Sequence, residues 1–337
     1  MKKICTLLLT CFSATIIAQE DAPALSISGT VDAYYQTNIS SPDDLGDSFG
    51  TSFADETGFA LGMANLVASY ETGSTGVVAD VVFGPRGDAA VGGYNLNQLY
   101  AYWNVSETTT LTMGRWNTYL GYEVISPAGN FNYSTSYMFS SGPFSMVGLK
   151  ADFDLGSDFS LMLAVMNPTD VNNNTSGGFS LGAQLGYAGQ FLNLYYDDDE
   201  VLGFEIDYTG GFDLSEEFFL GINAAYQVMG METEVLGETF SFDGGFYGVA
   251  LYPQYTVSDS FALGLRGELF GAHIEDVDDL PSVFSTTLTG SYTVDNLTIK
   301  PEIRMDAWSE DAEPYLDNDG MPTDSLSVFT LAMVYSF

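Results

Sequence analysis

The chain has 337 residues, 46% of them hydrophobic and 14% aromatic, with 45 Asp and Glu against 8 Lys and Arg for a net charge of −37. That acid excess excludes nucleic acid as a partner, and a single histidine with two cysteines largely excludes zinc, thiol and haem chemistry. No stretch beyond the N-terminus approaches the run of about 18 apolar residues that a membrane helix needs.

Lys2 and Lys3, the apolar run from Ile4 to Ile17 and the pair Ala18-Gln19 read as a secretory signal peptide over 1–18, cleaved after Ala18. The run is too short for a membrane anchor. Both cysteines, Cys5 and Cys11, lie within it, and Thr10 and Phe12 around Cys11 fit lipid attachment poorly. The mature domain, 19–337, therefore has no disulfide, so a fold of this size relies on backbone pairing or a large core.

From there the chain alternates apolar and polar residues in about 16 runs, the pattern of half-wet strands. They are 25–38, 58–71, 75–86, 95–105, 109–120, 143–154, 158–167, 178–188, 190–197, 203–212, 217–229, 244–256, 260–273, 282–293, 296–308 and 325–337. Merging the short runs around 190–212 would give 14. Tight turns such as Thr72-Gly73-Ser74, Ser106-Glu107-Thr108 and Ala188-Gly189 alternate with mostly longer polar loops at 39–57, 87–94, 121–142, 168–177, 198–202, 230–243, 274–281 and 309–324. Short turns at one end and long loops at the other predict an all-β fold, a transmembrane antiparallel β-barrel with periplasmic turns and extracellular loops. An even count lets the first and last strands pair and leaves no free edge. Pro253 and Pro301 predict local irregularity, and a parity break predicts a bulge near Ala64-Asn65.

Alternation also sorts the charges. Lys300, Glu302, Arg304 and Asp306 oppose Leu297, Ile299, Ile303 and Met305; Arg266 and Glu268 oppose Leu263, Leu265 and Leu269; Lys150 and Asp152 oppose Val147, Leu149 and Ala151; Asp80 and Arg86 oppose Val77, Ala79 and Val81. A cation facing hydrocarbon near the midplane would cost about 2–4 kcal/mol, which points the ionic face inward. With Asp32 and Tyr34 of the first strand, these residues form the predicted pore lining. Arg115 breaks the rule, since counting from Leu111 and Met113 turns it outward; a bulge would bring it inward to the pore mouth, and a position above the membrane is the rival reading. Trp103, Tyr70, Tyr187, Tyr255, Tyr292 and Tyr335 suit an interfacial girdle.

The ladder from Lys300 to Asp306 reads either as a charge screen across a pore or as cross-strand pairs in the wall. Loop 121–142, small, polar and aromatic, is the candidate constriction, with Tyr122, Glu123, Asn130, Asn132, Tyr133 and Tyr137 able to stack on or bond a solute; a surface loop is the alternative. Asp317-Asn318-Asp319-Gly320 resembles the opening of a calcium loop but lacks the downstream bidentate Glu, and both it and 197–200 read more simply as solvated turns. No catalytic motif or phosphate loop is present, and neither an enzymatic activity nor a cofactor or metal is expected.

Several segments resemble one family. Ser28-Gly29-Thr30-Val31-Asp32-Ala33-Tyr34-Tyr35-Gln36, Gln98-Leu99-Tyr100-Ala101, Gly114-Arg115-Trp116, Gly121-Tyr122-Glu123 and Asn130-Phe131-Asn132-Tyr133-Ser134 are similar to the putative β-barrel porin-2 (OmpL-like) family of outer-membrane proteins, most clearly over 28–38 and 98–153. Asn167-Pro168-Thr169 stands where Asn-Gly-Trp is expected, and Ala18-Gln19 is similar to signal-peptide ends of Bacteroidetes-type bacteria. The resemblance implies an outer-membrane channel in contact with lipid. The residues add passive diffusion of small hydrophilic solutes, with cations preferred because acids dominate. The C-terminal Phe337 resembles the signal read by the barrel-assembly machinery, and a homo-oligomer stays open. The competing reading is a secreted or surface all-β binding protein with no conducting pore.

Overall fold

A computed structural model describes residues 24–45, 47–198, 201–235, 238–309 and 312–337. The predicted signal peptide and its cleavage point lie outside the described residues. Sixteen antiparallel strands close into one barrel. In chain order they are β1 (Ala24–Asn38), β2 (Gly58–Thr72), β3 (Thr75–Phe83), β4 (Leu96–Ser106), β5 (Thr109–Asn117), β6 (Ser145–Gly156), β7 (Phe159–Met166), β8 (Ser180–Tyr187), β9 (Gln190–Tyr196), β10 (Phe204–Asp213), β11 (Phe218–Val235), β12 (Glu238–Ser258), β13 (Phe261–Ile274), β14 (Ser282–Val294) and β15 (Leu297–Trp308), then, after a small hairpin of β16 (Tyr315–Leu316) and β17 (Pro322–Thr323), β18 (Ser325–Ser336).

Every strand pairs with its sequence neighbours, and β18 closes the circle on β1 from Thr30↔Ser336 to Asn38↔Val328. Gly29 and Phe337 exchange backbone bonds of 2.9 and 3.0 Å at the seam. Closure removes both sheet edges and rules out two stacked sheets. The short turns carry their own geometry. Ala188 and Gly189 both take positive φ, 48° and 80°, the two-residue hairpin whose twist matches the strands it joins.

The apolar face looks out. Phe59, Leu99, Leu163, Leu181, Phe284 and Leu288 are exposed, and the six girdle aromatics are exposed as well. Inward residues are less exposed: Met63, Met162 and Ala164 are buried while Gln98, Tyr100 and Tyr102 are half-buried, so the interior is partly filled.

Several local expectations change. The bulge falls at Gly62-Met63, where the β1–β2 register shifts between Val31↔Ala64 and Ala33↔Leu61. Asp32 sets it by accepting the Met63 N–H at 2.9 Å. The irregularity expected at the prolines is a lapse in pairing, where Pro253 has no N–H to give β13 and Pro301 none to give β14; β12 and β13 also shift register between Thr256 and Ser258. The expected loop 230–243 is a continuation of β11 and β12, paired out to Val235↔Glu238. The expected loop 87–94 holds a helix, α1 (Pro85–Val91), which takes Arg86 out of the strand predicted for it.

Candidate functional site

The segment between β5 and β6 turns into the barrel. Thr118 N–H bonds the Phe144 carbonyl at 3.0 Å, pinching the neck, and Gly121 turns the chain at φ 84°. Gly121 N–H then reaches Asp207 on β10 at 3.0 Å, and Tyr122 N–H reaches Asn223 on β11 at 3.3 Å. A short helix, α2 (Tyr137–Ser141), capped by Ser136 accepting the Phe139 N–H at 3.0 Å, ends the crossing.

Because this segment is irregular, its backbone groups lack ladder partners, and the ionic wall supplies them. Carboxylates take its N–H groups. Glu302 accepts from Tyr133 (2.7 Å) and Ser134 (3.0 Å), Glu268 from Tyr137 (3.0 Å) and Met138 (2.8 Å). Cations take its carbonyls. Lys300 donates to Pro127 (2.9 Å) and Asn130, Arg266 to Ser134 (2.7 Å), Arg304 to Thr135 (2.9 Å) and Arg86 to Tyr133 (2.9 Å). Asn132 donates to Thr289 at 2.7 Å, and Arg266 pairs with the loop's own Glu123 at 2.7 Å. Such charge-assisted bonds are about twice as strong as neutral ones.

Two phenols complete the grip. Tyr133 donates to Asp32 at 2.6 Å and Tyr137 to Asp306 at 2.7 Å. Burial pushes both phenols well above the ordinary tyrosine range, so they remain donors. Inside the loop, Asn130 ties Val124 by its N–H (2.8 Å) and carbonyl (2.7 Å). Tyr122 stacks on Tyr252 of β12 with ring centres 4.3 Å apart.

A family described as Putative beta-barrel porin-2, OmpL-like, matches residues 24–337. The chain belongs to that family. No curated protein matches this porin. Among solved structures, the anion-selective porin from Comamonas acidovorans is similar at a TM-score of 0.60 and 10% identity, covering 94% of this chain and 100% of its own. The outer membrane channel DcaP of Acinetobacter baumannii is similar at 0.60 and 14%, covering 95% and 99%. A trimer form of OmpT of Vibrio cholerae is similar at 0.53 and 10%, covering 94% and 100%. At these identities the likeness is one of fold.

The porin brings nearly all the residues singled out in its sequence to one place, in a different capacity from the one expected. Asp32, Arg86, Arg266, Glu268, Lys300, Glu302, Arg304 and Asp306 face inward, yet each is 4% exposed or less, because the loop covers them. The Lys300–Asp306 ladder is therefore covered rather than an open charge screen; across the wall Thr289 donates to Glu302 at 2.7 Å, and Arg304 holds Asp306 at 2.8 Å on its own strand. Tyr34 packs on Tyr133, with ring centres 5.5 Å apart. Asp80 is buried between Asn97 (2.7 Å) and Asn65 (3.2 Å). Lys150 and Asp152, paired at 2.9 Å, keep side-chain exposures of 23% and 40%.

Arg115 is not in this group. It pairs with Leu99 and Val147, the outward register, and lies buried under the loop after β7, donating to the Asn97 carbonyl at 3.0 Å and to Asn172. The inward position expected for it is thus not taken, and Arg115 keeps the outward register that strict counting gave. Asp170 in the same loop accepts from the Ser145 N–H at 2.8 Å, and burial raises its carboxyl against that bond.

The first acidic cluster folds as a turn, and of the second, 197–200, residues 199 and 200 lie outside the described residues. Asp317 accepts from Asp319 (2.8 Å) and Met321 (2.9 Å), and Asp197 from Leu202 (3.1 Å) and Gly203 (2.7 Å). Sequence reasoning missed Asp207, Asn193, Asn223 and Glu205, which face the lumen on β9–β11. Their signal was legible in the alternation of Glu205 and Asp207 against Phe204 and Ile206.

Proposed function

We propose that the protein passes small hydrophilic solutes across the outer membrane by passive diffusion, with cations preferred and no covalent chemistry. One observation carries this reading: a closed barrel, apolar outside and ionic inside, holds the loop between β5 and β6 inward at fixed depth by more than ten polar bonds from its wall, with Phe49 and Thr51 of the loop after β1 packed beside it on Arg304. Such a loop narrows a lumen without sealing it by a separate domain, and it sets the size of what passes. The ionic groups predicted as lining act by positioning the loop, and Lys150 and Asp152 remain the charged wall that solutes meet.

Cation preference is supported by Glu205 and Asp207, which face inward on β10 with no Lys, Arg or His from residue 151 to residue 265, while the luminal carboxylates Glu302, Glu268, Asp32 and Asp306 are bonded to the loop as the cations are. Four luminal cations, Arg86, Arg266, Lys300 and Arg304, have their donors turned to loop carbonyls and carboxylates. The Comamonas porin is named anion-selective; the charges argued from here are those of this chain. Phe337, bonded into the seam, suits recognition by the assembly machinery. A homo-oligomer is supported by β7, β8 and β9, whose 8, 8 and 7 residues make the lowest wall of the barrel against the roughly 9–11 that span a bilayer.

Liposome swelling with sugars of graded size tests the reading. Entry of small sugars and exclusion of large ones is expected; no swelling with any sugar would reject it.

A further inference from the structure

The lumen is electrically divided. From residue 151 to residue 265 the chain has no Lys, Arg or His, so β7–β12 contribute no fixed positive charge to the interior. The acids on this arc are not alike. Asp207 is satisfied by Asn193 (2.6 Å), Gly121 N–H (3.0 Å) and Asn223. Glu205 stands two residues away on the same face of β10, about 7 Å along the strand. It is 2% exposed, and its Oε2 is buried without a hydrogen-bond partner.

The donors around Glu205 are turned elsewhere. Its cross-strand neighbours are Tyr195 on β9 and Gln227 on β11. Tyr195 gives its hydroxyl proton to Asp197 at 3.0 Å, and Gln227 gives its amide to the Leu202 carbonyl. Tyr119, at the loop neck, gives its hydroxyl proton to the Leu194 carbonyl at 2.7 Å. A buried carboxylate with no donor, beside a second carboxylate and with no cation on its arc, is neutralised either by a proton or by a bound cation.

We propose that Glu205 and Asp207 together form a luminal binding site for one alkali cation. The available donors are carboxylate oxygens, which select a hard ion. Backbone carbonyls and water would complete the shell of any ion there, and no group of three or more His, Cys, Asp or Glu that could hold a metal occurs among the described residues. A singly charged ion matches an arc where one carboxylate is already bonded and the other is not. This deepens the channel reading and rests on it: the site is where a passing cation dwells beside the loop.

The test uses the full-length protein folded in detergent and melted in potassium chloride and in choline chloride at equal ionic strength, choline being too bulky for the site. Wild type is expected to melt about 2–4 °C higher in potassium chloride, since a ligand that binds only the folded state raises its melting point. Asp213→Asn, at the exposed periplasmic end of β10, should keep that difference, and Glu205→Gln should lose it. Equal melting of wild type in both salts, as when Glu205 holds a proton instead, overturns the site, and so does a difference that survives Glu205→Gln. In planar bilayers Glu205→Gln should lower the potassium-over-chloride permeability ratio about twofold; an unchanged ratio removes the site and leaves the channel standing. If wild type carries no current, the channel reading fails while the melting comparison still decides the site.

Discussion

Arg266 on β13 and Glu123 on the inward loop meet at 2.7 Å with side-chain exposures of 0% and 3%. Neither charge has water to fall back on, so the pair persists only while the loop stays inside the barrel. Removing one partner strands the other, at a cost of about 3–5 kcal/mol for a buried pair. Arg266→Met is therefore expected to lower the unfolding free energy by that amount, read as a lower denaturant midpoint, and to give larger, noisier channel currents. A midpoint and current like those of wild type would show that the loop is held without this pair.

Glu302 uses both oxygens, one for the Tyr133 N–H and one for the Ser134 N–H. Glutamine has a single acceptor oxygen, so Glu302→Gln leaves one buried N–H unmatched, worth about 1–3 kcal/mol. Amide exchange at Tyr133 and Ser134 should accelerate by about tenfold, with exchange in the β11–β12 hairpin unchanged.

Gly62 is where a side chain has no room. A Cβ there would lie 1.7 Å from Asp32 Oδ2, the same carboxylate that accepts from Met63 and Tyr133. Gly62→Ala is expected to reduce the folded fraction, read as heat-modifiable mobility on a gel. In the double variant with Asp32→Ala the added cost of the alanine should shrink, because the two sites share one space.

Arg115 separates the loop after β7 from the lumen. Arg115→Ala removes the bonds to Asn97 and Asn172 and is expected to cost about 1–3 kcal/mol. Proteolysis within 167–179 should rise while single-channel conductance stays at the wild-type value. A changed conductance would place Arg115 in the permeation path after all.

The strands and their faces were legible because burial on one side only imposes a period of two, and an Arg or Lys in the wrong phase would face hydrocarbon. Arg266, Lys300 and Arg304 point inward as their alternation requires. What those residues do there was not legible. The alternation of Lys300, Glu302, Arg304 and Asp306 fixes a face, while their partners lie as far as 253 residues away in sequence, as for Arg304 and Thr51. Arg115 keeps the outward register that its alternation gave; what was not legible is its cover, which comes from Asn172, a loop residue with no periodic signal. Asp32 and the β2 bulge show the opposite case. The parity break in β2 was visible, and the carboxylate that sets its position two residues away was not.

Single-channel recording in a planar bilayer under a potassium chloride gradient tests the central claim most directly. The account predicts discrete current steps whose reversal potential shifts toward cation permeation. A protein folded to the heat-modifiable form that yields no steps at any voltage would contradict it.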